Sequence, residues 1–287
     1  MSVSAEVGVR GGTNVAGIIG WPVAHSLSPA IHNAAFAEAG LDWVYVPLAV
    51  APRDLREALA GLVPLGFRGV NVTMPHKTEA ADLIEHLSED ARVLRAVNTI
   101  AVRDGELEGH NTDAPGFDRF LRRDAGFDPQ GRSALVYGAG GAARACALAL
   151  ARAGSARLTV AARDEVRAAP LATMVEALGV PVVLVRPGEA AEVEADLVVN
   201  ATPVGGAGQE RAHPSLPHLG PGVLVIDLLY DPLSTDLQQR AKEAGAAVFG
   251  GLGHLLEQAA LSFELWTGTP APLEVMSAAA LAALAER

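Results

Sequence analysis

The sequence predicts an α/β protein of two domains: an N-terminal α/β domain with a largely parallel sheet, and a Rossmann-like, doubly wound domain. Three observations support this prediction. The chain has 287 residues, more than one compact domain usually holds. Short β-branched runs alternate with Ala- and Leu-rich helical patterns along its length. A glycine-rich loop beginning at Gly138 separates an apolar strand from an apolar helix.

The first part of the chain contains five predicted strands; helical patterns separate the first four, and a turn joins the last two. Ser28 is expected to cap a helix, because a serine side chain can accept a hydrogen bond from the unpaired N–H groups of the first turn. The first residue of that helix would be Pro29, which the first turn tolerates because its N–H groups have no partner within the helix. Asp104-Gly105 predicts a two-residue hairpin turn. The predicted strands are 15–19, 43–48, 69–72, 99–102 and 106–108, and further helical patterns begin at Pro52 and cover 76–95.

The pattern starts again near Ala114, with a helix that presents Phe117 and Leu121. Strands that alternate with helices imply right-handed crossovers and largely parallel sheets. A segment rich in Pro and Gly, 203–222, is expected to be a loop. The remaining predicted strands are 134–137, 158–162, 182–185, 197–199 and 223–226, and the helices are 142–153, 252–266 and 273–284. We expect residues 1–113 with 250–287 to form one domain, and residues 114–249 the other.

Composition excludes several classes of protein. The net charge of −11 argues against a nucleic-acid partner, because phosphate binding needs a basic surface. Charged residues, Pro or Gly interrupt every apolar stretch before the roughly 18 residues that a membrane helix needs. The single cysteine, Cys146, forms no internal disulfide and suits a reducing cytoplasm. His213, His218 and His254 lack the spacing of metal ligands, so we expect no metal.

The loop at Gly138 has the pattern of a dinucleotide-binding turn. Gly138 permits the tight turn, Gly140 lets the backbone approach a pyrophosphate, and Ala143 allows close packing of strand and helix. Free N–H groups at the start of the helix would bind the phosphates. Because a strand precedes this loop, a helix follows it and a second strand comes about 20 residues later, the dinucleotide is favoured over a turn without a ligand. The expected contacts are Gly138, Ala139, Gly140, Gly141 and Ala142.

The end of the next strand should choose between NAD and NADP. Arg163 follows that strand and Arg167 lies one helical turn later, so both are expected to bind a 2′-phosphate. Asp164 and Glu165 make the signal ambiguous, because either could cap the helix or contact a ribose. The cofactor is predicted as NADP (NADPH), with NAD possible.

Small polar side chains follow the strands of the first domain. Because the carboxyl ends of parallel strands share one edge of a sheet, these side chains are expected to converge there. They would suit a small, highly hydroxylated ligand. The segments are 20–29, 71–77, Asn98-Thr99 and Asn111-Thr112-Asp113.

Six segments in this order resemble the motifs of the shikimate dehydrogenase family, which includes shikimate/quinate dehydrogenases. They span nearly the whole chain, from about residue 17 to residue 266. They are Gly-Trp-Pro-Val-Ala-His-Ser-Leu-Ser-Pro, Asn-Val-Thr-Met-Pro-His-Lys, Ala-Val-Asn-Thr, Asn-Thr-Asp, Gly-Ala-Gly-Gly-Ala-Ala and Gly-Leu-Gly-His-Leu-Leu-Glu-Gln-Ala.

The resemblance implies reversible NADPH-dependent reduction of 3-dehydroshikimate to shikimate, a step of aromatic amino-acid biosynthesis. It makes the first domain the substrate-binding and catalytic domain and 114–249 the NADP-binding domain. It places Ser26 and Ser28 on the substrate carboxylate. The other implied sites are Thr73, Asn98 and Gln258 on ring hydroxyls, Tyr230 beside the substrate, Leu228 and Gly251 near the nicotinamide, and Lys77 with Asp113 as the catalytic pair.

The chemistry agrees with that pair. Reducing a ketone requires a hydride, which the cofactor carries, and a proton, which the protein supplies. A lysine ammonium beside a carboxylate can donate this proton and stabilise the developing alkoxide.

Two alternatives remain. An NAD-linked quinate/shikimate dehydrogenase is one, because Ala162 and Asp164 replace residues that the family commonly has beside the two arginines; Ser28, where a quinate enzyme would have Thr, favours shikimate by resemblance. A non-catalytic module that senses the dinucleotide is the other, but it would not need Lys77 with Asp113. The partner is expected to be a small-molecule substrate, and the protein a monomer or homodimer.

Overall fold

The computed structural model describes residues 8–206 and 216–287. Its residues divide into two compact units: one runs to Thr112 and includes Leu256–Arg287, and the other is Asp113–Leu255. His213 and part of the predicted loop 203–222 lie outside the described residues. No helix in the described ranges is long and apolar enough to cross a membrane.

The first unit contains a six-stranded mixed sheet. Its strand order is β2-β1-β3-β5-β6-β4. The bounds are β1 Asn14–Gly20, β2 Trp43–Ala49, β3 Phe67–Val72, β4 His86–Leu87, β5 Thr99–Arg103 and β6 Glu106–His110. Strands β2, β1 and β3 pair in parallel, whereas β5 is antiparallel to both β3 and β6.

Helices cover this sheet and carry the polar residues that follow its strands. They are α1 Ser28–Glu38, α2 Leu55–Leu62, α3 Lys77–Leu83, α4 Glu89–Leu94, the end of α9 (Leu252–Thr267), and α10 Leu273–Ala285. Fully or nearly buried aromatic rings form part of the core, with Phe36 5.1 Å from Trp43 and 5.4 Å from Phe263 between ring centroids. Buried apolar surface of this kind is the main stabilising term in folding.

The predicted hairpin is confirmed. Asp104 and Gly105 join β5 to β6 with φ values of 51° and 81°. A type I′ turn requires positive φ at both central residues, and Asp-Gly meets this requirement at low cost.

The second unit contains a six-stranded sheet in which every pair is parallel. Its order, β12-β11-β10-β7-β8-β9, confirms the doubly wound prediction. Helices α6, α7 and α8 connect β7 to β8, β8 to β9 and β11 to β12. The central strands are buried along most of their length, which explains their nearly continuous apolar sequences. The bounds are α5 Asp113–Arg123, β7 Ser133–Tyr137, α6 Gly141–Arg152, β8 Arg157–Ala161, α7 Glu165–Glu176, β9 Val182–Val185, β10 Leu197–Asn200, β11 Leu224–Asp227, α8 Asp236–Glu243 and β12 Ala247–Gly250.

The structure differs from the prediction at the start of α1. Leu27 occupies the N-cap position, where no side chain makes a capping hydrogen bond. Ser28 is the first residue of the helix. The prediction of Ser28 as a cap is therefore wrong. Ser28 is 6% exposed, so its hydroxyl lies within the packed unit instead of closing the helix end.

The structure adds one element within residues 76–95. The predicted helical segments are α3 and α4, and the two-residue strand β4, which was not predicted, lies between them and pairs in parallel with β6. Helix α4 begins where the Ser88 side chain accepts a hydrogen bond from the Ala91 N–H. A two-residue strand is too short to leave a periodic pattern in the sequence.

Candidate active site

The polar edge of the first unit forms where β1, β3 and β6 end and β5 begins. Asn98 immediately precedes β5, whereas the sequence interpretation placed it after a strand. Since β5 is antiparallel to β3, its start lies beside the end of β3, and Asn98 still reaches the expected edge. Asn98 therefore lies at the expected edge of the sheet, but because β5 is antiparallel and begins there, not because a parallel strand ends there.

Asn98 is held from both ends of its amide. Its Oδ1 accepts from the Thr112 N–H at 2.7 Å, and its Nδ2 lies 2.9 Å from Thr112 Oγ1 and 3.4 Å from Gln258 Oε1. The side chain is only 2% exposed. The orientation of the Asn98 amide is therefore fixed, and the fold brings it beside Gln258, which is 160 residues away in the chain.

Asn71 connects several neighbouring groups that the sequence interpretation missed. Its Oδ1 accepts from the Tyr45 hydroxyl at 2.7 Å, and its Nδ2 lies 3.0 Å from both Thr99 Oγ1 and Ser262 Oγ. Burial raises the pKa of Tyr45, and a hydrogen bond from Ser28 opposes that rise. Such buried networks fix side-chain orientation when every member is satisfied. Tyr45 and Ser262 could have been found only as polar residues on inward-facing positions.

Ser26 and Ser28 lie together where the loop after β1 enters α1. The Ser28 N–H donates to Ser26 Oγ at 3.2 Å, and the Ser26 N–H donates to the Val23 carbonyl at 3.0 Å. The half-buried Ser26 and the buried Ser28 therefore lie close to a helix N-terminus, where a carboxylate is favoured.

Thr73 and Lys77 occupy the connection from β3 to α3. The Thr73 N–H donates to the Ile19 carbonyl at 2.9 Å, which ties this connection to β1. Buried His76 lies with Nε2 2.8 Å from the Val50 carbonyl, and the Lys77 carbonyl accepts from the Val97 N–H at 2.8 Å. The half-buried Lys77 therefore starts from a backbone fixed on both sides.

Asp113 begins α5 in the second unit and is 7% exposed. Its carbonyl accepts from His254 Nε2 at 3.0 Å, and the His254 ring packs edge-on against Phe117 at 5.6 Å. Burial, and then the negative charge of Asp113, raises the pKa of the Cys146 thiol. His254 thus binds the backbone of Asp113.

Within the described residues, no group of three or more His, Cys, Asp or Glu side chains could hold a metal ion.

The loop after β7 has the geometry that a dinucleotide requires. Gly138 adopts a φ of +108°, and a Cβ there would lie 3.0 Å from the Ala201 carbonyl oxygen. Gly138 stands beside the end of β10, where the strand order of the sheet changes direction. Ligands of doubly wound sheets bind at this topological switch point.

The start of α6 offers free donors to an anion. Gly140 is its N-cap and makes no side-chain capping bond, and a Cβ at Gly140 or Gly141 would meet no described atom within 4 Å. Ala143 is fully buried against the strand, as expected for close packing. The residues Gly138, Ala139, Gly140, Gly141 and Ala142 therefore fit a pyrophosphate at a helix N-terminus.

The structure gives Asp164 a definite place. Asp164 is the N-cap of α7, and its Oδ1 accepts from the Arg167 N–H at 3.2 Å. Arg163 and Arg167 flank this cap, and all three side chains are exposed. Two guanidinium groups can therefore meet a phosphate here, beside one carboxylate that repels it.

Leu228 and Gly251 are brought together at the ends of β11 and β12. The Leu228 N–H donates to the Asn200 carbonyl at 3.0 Å, and the Gly251 N–H donates to the Leu229 carbonyl at 3.0 Å. A Cβ at Gly251 would overlap the Leu228 carbonyl group. Only glycine fits this approach. Tyr230 follows two residues after Leu228 and is half-buried.

Comparison with known proteins gives consistent matches along the chain. The model of the shikimate dehydrogenase substrate binding domain matches residues 18–100, and that of the shikimate 5′-dehydrogenase C-terminal domain matches residues 251–281. The shikimate dehydrogenase (NADP(+)) of Methanopyrus kandleri is 45% identical over 98% of this chain and 99% of its own length.

Two solved structures show the same fold. Shikimate 5-dehydrogenase from Thermus thermophilus, in complex with NADP(H) and shikimate, has a TM-score of 0.84 and 38% identity, covering 94% of this chain and 100% of that one. Quinate dehydrogenase from Corynebacterium glutamicum, in complex with NAD, has a TM-score of 0.87 and 32% identity, covering 94% and 99%.

Proposed function

The chain belongs to the shikimate dehydrogenase family, and we propose that it catalyses the reversible reduction of 3-dehydroshikimate to shikimate with NADPH. This reaction is a step of aromatic amino-acid biosynthesis. The observation that carries the proposal is the similarity to an NADP-dependent shikimate dehydrogenase over 98% of the chain, together with a polar edge and a dinucleotide loop of the required geometry.

We propose that the first unit binds the substrate. The hydroxyls of Ser26 and Ser28 bind its carboxylate near the start of α1. Thr73, Asn98 and Gln258 bind its ring hydroxyls. The fixed amide of Asn98, with Gln258 beside it, supports this assignment because fixed donors and acceptors discriminate between hydroxyl positions. Tyr230 is also proposed to contact the substrate.

The second unit is proposed to bind NADP. The loop of Gly138, Ala139, Gly140, Gly141 and Ala142 holds the pyrophosphate, and Arg163 with Arg167 binds the 2′-phosphate. Leu228 and Gly251 contact the nicotinamide, where the backbone approach at Gly251 leaves no room for a side chain. When bound, the cofactor supplies or accepts the hydride at the reacting carbon.

Lys77 and Asp113 are proposed to handle the proton. In reduction, the Lys77 ammonium donates a proton to the ketone oxygen as that oxygen gains the electron pair of the carbonyl bond. The Asp113 carboxylate stabilises the charged ammonium, and neutral Lys77 is protonated again from solvent. In the reverse direction neutral Lys77 takes the hydroxyl proton.

One observation favours a second candidate, an NAD-linked quinate/shikimate dehydrogenase. Asp164 lies between the two arginines, and a carboxylate at this point of the fold can bind the ribose hydroxyls of NAD. The likeness to the quinate dehydrogenase from Corynebacterium glutamicum is consistent with it. Ser28 favours shikimate.

We further propose that the protein is a cytoplasmic monomer or homodimer that binds no nucleic acid. Light scattering on a sizing column would measure its molar mass and so distinguish monomer from homodimer.

The test follows the absorbance of reduced nicotinamide while the purified protein is given shikimate or quinate, each with NADP or NAD. Turnover that is fastest with shikimate and NADP supports the proposal. Faster turnover of quinate with NAD would replace it with the second candidate. Cofactor binding without turnover of any pair would rule out both.

A further inference from the structure

The second unit contains a buried carboxylate at the end of β11 for which the reaction gives no direct use. Asp227 has no exposed surface. It accepts three hydrogen bonds: from Thr235 Oγ1 at 2.6 Å, from Asn200 Nδ2 at 2.9 Å and from the Leu229 N–H at 3.2 Å. The carboxylate thus connects three parts of the chain that lie at the carboxyl edge of the sheet.

Asn200 extends these connections to the loop after β10. Its Oδ1 accepts from the N–H and the hydroxyl of Thr202 at 3.1 and 2.7 Å, and its Nδ2 lies 3.2 Å from the Val204 carbonyl. Its own carbonyl accepts from the Leu228 N–H at 3.0 Å. Residues 201–204 after β10 and residues 228–229 after β11 therefore cannot shift independently while Asp227 and Asn200 remain bonded.

The connections also reach the start of α8 and the end of β12. Thr235, which donates to Asp227, is the N-cap of α8 and accepts from the Gln238 N–H at 3.3 Å. Gly251 donates to the Leu229 carbonyl, next to the N–H that Asp227 holds. The backbone around Leu228 and Leu229 is consequently fixed from both sides.

A carboxylate is an unfavourable choice if the role is packing alone. Burial raises the pKa of Asp227, and its three partners are neutral donors. An ionised group in such a place costs stability that a neutral amide would not. The advantage of a carboxylate at position 227 is the number of groups it can hold in place. It accepts several strong hydrogen bonds at once, whereas an asparagine has one acceptor oxygen.

We propose that Asp227 is a positioning residue for hydride transfer, holding the loops after β10 and β11 in the arrangement that places Leu228 and Gly251 against the nicotinamide. This inference rests on the proposed function, which assigns those two contacts. Because an error of about 1 Å in the position of reacting groups can slow a reaction about 100-fold, small loop shifts should appear in the chemical step.

The experiment compares wild-type protein with Asp227→Ala and Asp227→Asn. Steady-state kinetics are combined with the primary isotope effect, using shikimate deuterated at the carbon that gives up hydride. For Asp227→Ala we expect kcat to fall about 10- to 100-fold and the isotope effect to increase, because hydride transfer becomes the slow step. The KM for shikimate should change less than about threefold, since this substrate is proposed to bind mainly the first unit.

Asp227→Asn is the conservative variant and covers the case in which the alanine variant does not fold. Its oxygen can accept from Asn200 and Leu229 while its amide donates to Thr235. We expect kcat and the isotope effect to lie between those of wild type and Asp227→Ala, while the melting temperature is equal to or above that of wild type because the buried charge is gone.

Asp196 provides the matched control at the opposite end of the same sheet. It accepts from the N–H and the hydroxyl of Ser133 at 2.8 and 2.9 Å, just before β10 begins. Asp196→Ala should lower the melting temperature and leave the isotope effect unchanged. If a variant merely contains less folded protein, its apparent kcat falls but its isotope effect does not change. The isotope effect therefore distinguishes a positioning role from a folding role.

Two results would overturn the inference, and they differ. If wild-type protein oxidises shikimate and both Asp227 variants keep the wild-type isotope effect and KM values, Asp227 serves stability only. If wild-type protein turns over neither shikimate nor quinate, the proposed function fails and this inference fails with it.

Discussion

Lys77 stands out among the cationic side chains of this protein. The chain contains two lysines, Lys77 and Lys242, and twenty arginines. An arginine stays charged at any accessible pH, whereas a lysine can lose its proton in a suitable environment. If only positive charge were needed at position 77, an arginine would serve equally well. The side chain at this position is therefore expected to be one that exchanges a proton.

The corresponding prediction uses Lys77→Arg. This variant keeps the positive charge and removes the exchangeable proton, and general acid–base catalysis contributes about 100- to 10,000-fold. We expect kcat for shikimate oxidation to fall by at least about 100-fold, with a smaller change in KM. Lys242→Arg on exposed α8 is the matched control and should retain full activity. Activity of Lys77→Arg within a few-fold of wild type would show that Lys77 does not transfer the proton.

Asp164 combines two effects, a helix cap and a negative charge, which substitutions can separate. Asparagine caps as well as aspartate does, so Asp164→Asn keeps α7 and removes the carboxylate between Arg163 and Arg167. We expect the ratio of kcat/KM for NADP to that for NAD to rise about tenfold, the equivalent of about 1.4 kcal/mol. Asp164→Ala should show the same ratio change and, in addition, lose about 1 kcal/mol of stability with the cap. An unchanged ratio in both variants would mean that Asp164 does not affect cofactor choice.

Gly251, between β12 and α9, lies so close to the Leu228 carbonyl that no side chain larger than hydrogen fits at position 251. Gly251→Ala would place a methyl group about where that carbonyl group lies, so the loop after β11 must move. We expect a large loss of kcat/KM for NADP and a lower melting temperature. Gly250→Ala is the control, because its Cβ would be 3.4 Å from the flexible Gln238 amide. Equal effects of the two substitutions would contradict the steric argument.

The elements that the sequence predicted well are those whose signal is local. The β5–β6 hairpin needs only Asp104-Gly105, and the loop at Gly138 needs only its flanking strand and helix. A helix starting near Asp164 was expected, but the extent of α7 was not predicted, because Pro170 inside it interrupts the helical pattern. Helix α8 is largely polar, and β12 has four residues, so neither has a clear period.

The candidate site follows the same division. Ser26, Ser28, Asn98 and Gln258 were predicted as site residues because they stand in recognisable motifs. Tyr45, Ser262 and Asp227 were missed, because their importance depends on partners up to 191 residues away that only the folded register of strands brings near. A lone polar residue in an apolar segment carries no sign of which partner it will meet.

For the molecule as a whole, a buried histidine should make stability depend on pH. His32 is fully buried, stacks on Tyr45 at 4.5 Å, and has no hydrogen-bond partner for either ring nitrogen among the described residues. Burial lowers its pKa from 6.5 to about 3. Because the unfolded chain binds this proton and the folded chain does not, the contribution of His32 is complete above pH 6.5. It is lost as the pH falls toward 3, by up to about 1.4 kcal/mol per pH unit.

The prediction is measured by urea denaturation of wild type and His32→Phe between pH 4.5 and pH 8, a range set by the shift of His32. Phenylalanine keeps an aromatic ring against Tyr45 and cannot take up a proton. The difference in unfolding free energy between the two proteins should be constant above pH 7 and shift in favour of the variant below pH 6. A difference that stays constant over the whole range would mean that His32 does not titrate between the two states.

The division of the chain between the units has a consequence for its synthesis. The second unit is continuous in sequence, whereas the first is assembled from residues at both ends of the chain, with α10 packed on α1. A ribosome releases residues from the N-terminus onward, at about 5–20 residues per second. The strands of the first unit and its helices α1 to α4 therefore emerge before α10 and the end of α9, which follow only after the second unit has been made. The first unit therefore begins before the second and is completed after it, so the face of α1 that α10 covers stays uncovered until the second unit has been made.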